Sequence, residues 1–249
     1  MIYFISDLHL EESRPDITGA FFYFLDQIEK DAKQLYILGD FFEAWVGDDE
    51  NTPLQVKVKA RLKRLTESGV EAFFMAGNRD FLIGEQFSQD TGVTVLPEPS
   101  KIALNGEEVL LIHGDSLCTR DTAYMKLRSM LRAPGFIETF LARPLEDRLT
   151  TARQLREMSQ ASNKDKSNEI MDVTPEEVIK LMEEQQVQTL IHGHTHRPAT
   201  HDLTINAEPA FRIVLGDWDK QIWFIRVDET KQSLELINQA FPENAESFA

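Results

Sequence analysis

Short apolar runs alternate with amphipathic stretches along the first third of the chain. Residues 2–5, 35–38 and 71–76 are apolar runs of strand length, and a polar cluster follows each of them. Between these runs, residues 21–28 and 54–65 carry apolar side chains at helical spacing. The alternation predicts an α/β fold in which strands and helices follow one another.

Later in the chain the pattern changes to a hairpin and isolated strands. Residues 102–104 and 109–112 flank Asn105-Gly106, a dipeptide typical of a tight primed turn. Further apolar runs predict strands at residues 190–191, 211–215 and 222–227. Together with the helices, these strands indicate an α/β sandwich of mixed β-sheets flanked by helices, and we expect one domain over residues 1–249.

One more helix is predicted from its start signals. Thr174 is a candidate N-cap, Pro175 suits the first helical position, and Glu177 completes a capping box. We therefore expect a helix that runs to about Gln185, with the Thr174 side chain bonded to its first turn.

Composition narrows the class of protein. The chain has 26 basic and 42 acidic residues, for a net charge of −16, which excludes a general nucleic-acid binder because phosphate contacts need clustered Lys and Arg. The single cysteine, Cys118, allows neither an intramolecular disulfide nor a thiolate metal cage and favours a reducing compartment. No run approaches the ~18 apolar residues of a membrane span, and the first residues lack the basic flank of a signal peptide. We expect a cytoplasmic protein.

Residues 119–170 differ from the rest of the chain. They contain ten basic and seven acidic side chains, whereas the remainder carries a net charge of −19. Apolar residues recur there at helical spacing, namely Leu127, Met130, Leu131, Phe136, Ile137, Phe140 and Leu141. The pattern predicts a basic helical insertion. Its apolar stripes suit either an apolar cleft that touches a bilayer or an ordinary helical hairpin that packs on the domain.

The polar clusters after five predicted strands share residue types that bind metals. They supply Asp7, His9, Asp40, Asn78, His113, His194 and His196. Ligands bind off the carboxyl ends of strands in open α/β sheets, so we expect these side chains to converge. Of the remaining histidines, His201 lies outside the clusters, and we interpret His192 as structural because adjacent strand residues point to opposite faces.

The ligand types indicate which metals fit. Carboxylate, amide oxygen and imidazole without sulfur suit Mn²⁺, Fe²⁺, Zn²⁺ or Mg²⁺. Seven protein ligands are too many for one ion and are appropriate for two that share an aspartate. Two ions about 3.5–4 Å apart clamp an in-line phosphoryl displacement and lower the pKa of a bound water towards about 7. The ligand types therefore predict a dinuclear metal site that is suited to in-line phosphoryl displacement.

The ordered motifs resemble those of the calcineurin-like metallophosphoesterase superfamily. They are Asp7-Leu8-His9, Gly39-Asp40, Gly77-Asn78, His113-Gly114 and Gly193-His194-Thr195-His196. Most members carry a histidine after Gly-Asn, where this chain has Arg79. That change and the stretch LGDFFEAWVGDD at residues 38–49 resemble one branch, the UDP-2,3-diacylglucosamine hydrolases of lipid A biosynthesis in Gram-negative bacteria.

This resemblance implies two Mn²⁺ ions per chain. It implies that Asp7, His9 and His196 bind one ion, that Asn78, His113 and His194 bind the other, and that Asp40 bridges them. It also implies water attack on the α-phosphorus, which releases UMP and the acylated sugar 1-phosphate. The catalytic residues by this reading are Asp40, Asn78, Arg79 and His113. The substrate contacts are Asn78, Arg79, Asp121, Ser159, Asn163, Lys166 and His194.

The position of Arg79 bears on both binding and leaving-group protonation. Its guanidinium suits bidentate phosphate binding, although a salt bridge to Asp80 is an alternative. Because Arg79 replaces the histidine that is a proposed general acid elsewhere in the superfamily, the identity of any acid stays open.

The resemblance also implies partners and a location. We expect an acylated UDP-sugar as substrate and a peripheral position on the cytoplasmic face of the inner membrane, with no protein partner implied. Another dinuclear phosphodiesterase that acts on nucleotides is the alternative, and it would not need the basic, apolar insertion. A non-catalytic scaffold on the same fold is disfavoured because all seven ligand types are present.

Overall fold

The computed structural model of the chain describes residues 1–163 and 172–249, with residues 160–163 described by their backbone alone. In this part of the chain, eleven strands form two sheets. In chain order, the strands are Ile2–Ile5 (β1), Gln34–Leu38 (β2), Glu71–Met75 (β3), Thr94–Leu96 (β4), Ser100–Leu104 (β5), Glu107–Leu111 (β6), Thr189–His192 (β7), Ala199–Ile205 (β8), Glu208–Val214 (β9), Gln221–Asp228 (β10) and Ser233–Ala240 (β11).

Both sheets mix parallel and antiparallel pairs, as the sequence predicts. The first has the order β11-β10-β1-β2-β3-β4, in which β1 to β4 pair in parallel and β10 runs antiparallel to β1 and β11. The second has the order β5-β6-β7-β9-β8, with parallel pairs β6-β7 and β7-β9 at its centre. The parallel strands end at the same edge of each sheet, so the polar residues that follow them lie side by side.

The helices in chain order are Pro15–Ile28 (α1), Pro53–Glu67 (α2), Glu85–Thr91 (α3), Thr122–Leu131 (α4), Pro134–Leu141 (α5), Leu145–Asn163 (α6) and Pro175–Gln185 (α7). Short 3₁₀ helices occupy Asp115–Leu117 and Ala245–Phe248. Helices were predicted at residues 21–28 and 54–65; the observed ones, α1 and α2, begin earlier because each starts with a proline at its first position.

Three apolar clusters give the molecule its layers. One lies between the two sheets and includes Phe4, Leu38, Leu111 and Ile191. A second covers the outer face of the first sheet under α1, α2 and α3, and a third lies under α7 on the second sheet. Strand β1 is buried on both faces, which explains its uninterrupted apolar sequence.

The predicted capping box at the start of α7 is wrong. Thr174 is the N-cap residue and α7 ends at Gln185 as predicted, but the Thr174 side chain makes no capping hydrogen bond. Its hydroxyl instead accepts a hydrogen bond from the hydroxyl of Thr119 at 2.8 Å. A capping box is present at α2, where Thr52 and Gln55 bond each other's backbone N–H.

Helices α4, α5 and α6, here called the cap helices, fall within residues 119–170. Phe136, Ile137, Phe140 and Leu149 on these helices pack against the cluster on the outer face of the first sheet. Met130 and Leu141 are exposed at 52% and 39%. Among the described residues, no helix is both long enough and apolar enough to cross a bilayer.

Candidate active site

Five loops at one edge of the two sheets bring the predicted metal ligands together. The Asp7, His9 and His196 side chains form one cluster, and those of Asp40, His113 and His194 form another. Within each cluster, the potential ligand atoms lie within 4.8 Å of one another. Asn78 joins the second cluster, because its Oδ1 lies 3.1 Å from His113 Nε2. Below, Asp7, His9 and His196 are called the first ligand set, and Asn78, His113 and His194 the second ligand set.

Asp40 stands between the two ligand sets. Its Oδ2 lies 3.8 Å from His9 Nε2, and its Oδ1 lies 3.6 Å from His113 Nε2. One oxygen of the carboxylate therefore faces each set. This is the geometry that an aspartate shared by two cations requires.

The backbone of the site is unusual. Asp7, His9, Asp40, His194 and His196 all have φ between 49° and 67°, the left-handed region that side chains other than glycine seldom adopt. Such conformations cost about 1–3 kcal/mol each and persist where the surrounding contacts hold them. Here the Asp7 N–H donates to the Gly39 carbonyl at 3.1 Å, and the His194 N–H donates to Asp7 Oδ2 at 2.9 Å.

Two glycines allow the loops to approach one another. A Cβ atom on Gly77 would lie 2.1 Å from the Asp40 nitrogen, and one on Gly193 would lie 2.2 Å from Asp7 Oδ2. Any larger residue would push these carboxylates out of place. The glycines of the Gly-Asn and Gly-His motifs are therefore required by packing around the ligands.

The histidine rings are held with one nitrogen turned towards the site. His113 Nδ1 lies 2.8 Å from the Leu38 carbonyl oxygen, which can only accept, so Nδ1 donates and Nε2 stays available. Glu43 Oε2 binds His9 Nδ1 at 2.7 Å in the same manner. Carbonyl and carboxylate partners of this kind orient metal-binding imidazoles. Sequence reasoning missed the role of Glu43, and the only signal was its position three residues after Asp40.

The buried carboxylates Asp7 and Asp40 favour positive charge in the site. Burial alone would lower the pKa of His113, but the charges of Asp40 and Asp7 outweigh it and raise this pKa to about 9. The pKa of His196 is likewise about 9, since Asp7 outweighs burial. Burial and the neighbouring His113 lower the pKa of His194 to about 4. Glu43, Asp40 and Asp7 outweigh burial and raise the pKa of His9 as well. Without cations the carboxylates therefore favour the protonated form of His9, His113 and His196, so the donor set fits divalent cations.

Asp80 ties two of the loops together and is not the partner of Arg79. Its fully buried carboxylate accepts hydrogen bonds from the backbone N–H of Phe41 at 2.7 Å and of Gly77 at 2.8 Å. Burial and the nearby Asp40 charge raise the pKa of Asp80 to about 6. The alternative of an Arg79–Asp80 salt bridge is therefore wrong.

Arg79 is placed to bind an anion. Its backbone N–H donates to Asp40 Oδ1 at 2.8 Å, and its Nη1 lies 3.8 Å from Glu43 Oε1. Within the described residues, its side-chain Nε is buried and has no hydrogen-bond partner. A buried donor without a partner is costly, so a ligand oxygen at this position would satisfy it.

Both ligand sets open into a cavity of about 540 Å³. Of the predicted substrate contacts, the cavity wall includes Asn78, Arg79, Asp121, Ser159 and His194. The side chain of Asn163 and all of Lys166 lie outside the described residues. Asp121 also caps α4 by accepting the Tyr124 N–H at 3.0 Å.

An apolar pocket adjoins this cavity beneath the cap helices. Leu127, Leu131, Phe136, Phe140 and Trp45 line it. The two spaces share part of their walls, namely Asn78, Arg79, Tyr124, Leu127, Leu155 and Ser159. A ligand with an anionic centre and apolar chains would fit the two together.

His192 is structural, as expected. It is fully buried, and its Nδ1 donates to the Gly193 carbonyl at 2.8 Å. Burial and the charge of Arg212 lower its pKa to about 3, so the ring is neutral.

A family model and several known proteins are similar to this chain. The model of the calcineurin-like phosphoesterase family matches residues 1–198. A Marinobacter nauticus protein named UDP-2,3-diacylglucosamine hydrolase is 55% identical over 228 residues, which are 92% of this chain and 93% of the relative. A Pseudomonas fluorescens protein of the same name is 55% identical over 245 residues, 98% of each chain. A solved archaeal phosphodiesterase covers 96% of this chain and 99% of its own, with 12% identity and a TM-score of 0.48.

Proposed function

Because the chain belongs to the calcineurin-like phosphoesterase family, we propose that it hydrolyses the pyrophosphate bond of UDP-2,3-diacylglucosamine. The products would be UMP and 2,3-diacylglucosamine 1-phosphate, a step of lipid A biosynthesis in Gram-negative bacteria. Relatives that carry the name of this activity match nearly the whole chain. The observation that carries the proposal is the continuity of the cavity at the ligand sets with the apolar pocket, because this substrate joins a pyrophosphate to acyl chains.

The two ligand sets would hold a pair of divalent cations, which we take to be Mn²⁺. Asp7, His9 and His196 would bind one, Asn78, His113 and His194 the other, and Asp40 both. When bound, such a pair supplies a nucleophilic water near neutral pH and offsets the charge of the phosphoryl oxygens. The order of metal affinities alone would favour Zn²⁺ over Mn²⁺. The choice of manganese therefore rests on the resemblance to the family.

The chain's own residues would orient the substrate for attack at the α-phosphorus. The free Nε of the Arg79 side chain would donate to a phosphate oxygen, and its fixed charge would favour the anionic substrate over water. The Arg79 N–H holds Asp40 Oδ1, which keeps the shared carboxylate in place. Asn78 and His194 line the same cavity, where each would contact substrate as well as a cation.

Two of the remaining predicted contacts lie on the cap side of the cavity. Asp121 and Ser159 line the wall there, and Asn163 and Lys166 are proposed from the sequence alone. The leaving group is a sugar phosphate, which departs as a stable anion, so the absence of a histidine at position 79 need not slow the reaction.

We propose that residues 119–170 form a lid inserted into a single domain over residues 1–249. The lid would hold the acyl chains against the apolar pocket and touch the cytoplasmic face of the inner membrane. Exposed Met130, Leu141 and Met158 on the cap helices support such a contact. An amphipathic patch of this size gives weak, reversible binding to a bilayer.

A nucleotide phosphodiesterase with the same metal ligands is the main competitor. It would leave the apolar pocket without a role. The deciding experiment compares hydrolysis of UDP-2,3-diacylglucosamine and UDP-glucose by the Mn²⁺-loaded protein in ¹⁸O-labelled water. We expect rapid turnover of the acylated substrate only, with the label in UMP. Equal rates on both substrates would favour the phosphodiesterase, and label in the sugar phosphate would contradict attack at the α-phosphorus.

A further inference from the structure

Helix α4 presents one stripe of polar side chains to the metal centre. Tyr124 and Arg128 on α4 and Arg132, the residue that caps its C-terminus, are spaced four residues apart, so they lie on one face of the helix. All three approach Asp115 in the loop of His113. Tyr124 also contacts the loop of His194, and Arg132 the loop of Asn78.

Arg128 supports the loop of His113. Its Nε donates to Asp115 Oδ2 at 2.7 Å, and its Nη2 lies 3.1 Å from Glu98 Oε2. Asp115 is fully buried two residues after His113, and Glu98 Oε1 accepts the His113 backbone N–H at 2.8 Å. Arg128 thus binds both carboxylates around this loop, and Arg132 Nη2 places a second positive charge 3.8 Å from Asp115 Oδ2.

The other two residues of the stripe support Asn78 and His194. Arg132 Nη2 donates to the carbonyl of Gly77, the residue before Asn78, at 2.9 Å. The Tyr124 ring lies over the His194 ring with centroids 6.1 Å apart and planes inclined by 27°, while its hydroxyl donates to Asp115 at 2.7 Å. All three members of the second ligand set therefore rest on α4.

Helix α6 reaches the first ligand set instead. Arg156 Nε lies 3.0 Å from Glu43 Oε1, and the other oxygen of Glu43 binds His9 Nδ1 at 2.7 Å. Arg156 Nη2 also reaches Glu11 Oε2 at 3.3 Å. A series of contacts therefore connects Arg156 on α6 through Glu43 to His9.

We propose that two of the cap helices divide the metal centre, with α4 positioning the second ligand set and α6 positioning the first. Arg128 and Arg156 are then positioning residues, each of which sets the affinity for one ion. Moving either helix loosens the ion on its own side. The inference rests on the proposed function, because it takes the two ligand sets as the sites of two cations.

The test measures the metal occupancy of each ligand set in the absence of substrate. Crystals of the wild type, Arg128→Met and Arg156→Met are equilibrated at limiting Mn²⁺, and anomalous scattering at each ligand set is measured. We expect Arg128→Met to lose the ion at the second ligand set and keep the first, and Arg156→Met to do the reverse. In solution, titration followed by the electron paramagnetic resonance signal of free Mn²⁺ should show one binding step weakened about 10–100-fold in each variant, the usual effect of removing an outer-shell partner.

Matched controls are available on the same helices. Lys126→Met on α4 and Arg153→Met on α6 remove the same charge at exposed positions and should leave both ions bound. Because Arg128→Met removes the cation that is hydrogen-bonded to the buried Asp115, Asp115→Asn/Arg128→Met is tested beside it, and loss of the second ion alone is expected again.

The outcomes separate this inference from the proposed function. If either arginine variant loses both ions together, loses the ion on the opposite side or loses neither, the division between α4 and α6 is overturned. If the wild type itself shows no manganese at the two ligand sets, the metal assignment beneath the proposed function fails.

Discussion

Asp40 shows how much of the chemistry depends on single residues. One oxygen of its carboxylate faces His9 and the other faces His113, at 3.8 and 3.6 Å. Asp40→Asn keeps the shape but removes the charge between the proposed ions. We expect kcat/KM to fall by more than about 10³-fold, the upper end of what one charge-stabilising group supplies. Steady-state kinetics on the acylated UDP-sugar measure this, and wild-type rates would exclude Asp40 as a bridge.

Arg79 has a separate role that its substitution can isolate. Charge-assisted hydrogen bonds contribute about 1.5–3 kcal/mol each, and two of them to a phosphate correspond to roughly 10²–10⁴-fold in kcat/KM. We expect Arg79→Ala to lose activity in this range while Mn²⁺ binding persists. Arg79→Lys is the control, since it keeps the charge and loses the planar fork. An unchanged kcat/KM for Arg79→Ala would remove the residue from the site.

Gly193 tests the packing of the ligand loops. A methyl group there would lie 2.2 Å from Asp7 Oδ2 and 2.3 Å from Ser6 Oγ. We expect Gly193→Ala to displace Asp7, to lower the free energy of unfolding by about 1–3 kcal/mol and to weaken Mn²⁺ binding. Gly135→Ala is the control, because nothing lies within 4 Å of the added atom. Equal stability and metal binding in the two variants would show that the loops tolerate the extra atom.

Cys118 should be unreactive in the folded protein. Its side chain is buried, and burial together with the charge of Asp115 raises the pKa of the thiol to about 12. Alkylation requires the thiolate, so we expect no modification by iodoacetamide at pH 8 until the protein unfolds. Mass spectrometry of native and urea-treated samples checks this, and rapid labelling of the native protein would contradict it.

The sequence predicts the ligands at this scale but not the residues that hold them. Asp7, His9 and Asp40 follow apolar strands closely, so local pattern places them. Glu43 and Tyr124 act on partners 34 and 70 positions away in the chain, and only the fold brings those partners near. Such pairs leave no periodic signal.

At the scale of elements, burial decides what the pattern predicts. The strands that lie in the middle of a sheet each contain buried apolar residues in succession, and the sequence predicts all of them. β8 and β11 lie at sheet edges, alternate between partly buried and exposed residues, and were missed, as were the short elements α3 and β4. The capping box predicted at α7 fails because of a tertiary contact, since the Thr174 hydroxyl is hydrogen-bonded to Thr119 and not to the first turn of the helix.

The capping box at the start of α2 predicts a measurable contribution to stability. Thr52 Oγ1 accepts the Gln55 N–H at 3.2 Å, and the Gln55 side chain accepts the Thr52 N–H at 3.0 Å. We expect Thr52→Ala to lower the free energy of unfolding by about 1 kcal/mol, while Thr52→Ser keeps most of it. Urea denaturation followed by circular dichroism distinguishes the two, and equal loss in both variants would mean that the methyl group matters rather than the hydroxyl.

For the whole molecule, the buried carboxylates link folding to metal binding. A ligand that binds only the folded state at about 100 times its Kd adds roughly 2.7 kcal/mol of stability, and 1 kcal/mol shifts the Tm of a protein of this size by about 2–4 °C. We therefore expect saturating Mn²⁺ to raise the Tm by at least about 5 °C and a chelator to reverse the change. Thermal unfolding of Asp40→Asn should respond less to Mn²⁺. A Tm that does not change when Mn²⁺ is added would argue against the two ligand sets as cation sites.

The place of β1 in its sheet affects how a newly made chain becomes functional. β1 leads directly into Asp7, yet it lies between β2 and β10, and Ile2 pairs with Val227. During translation, every proposed ligand down to His196 is synthesised before β10. Until then β1 has an open edge, which is prone to pairing with other chains. Ribosome-bound fragments that stop short of β10 should therefore depend on chaperones and lack organised ligand sets, so that activity appears only after β10 has been made and has paired with β1.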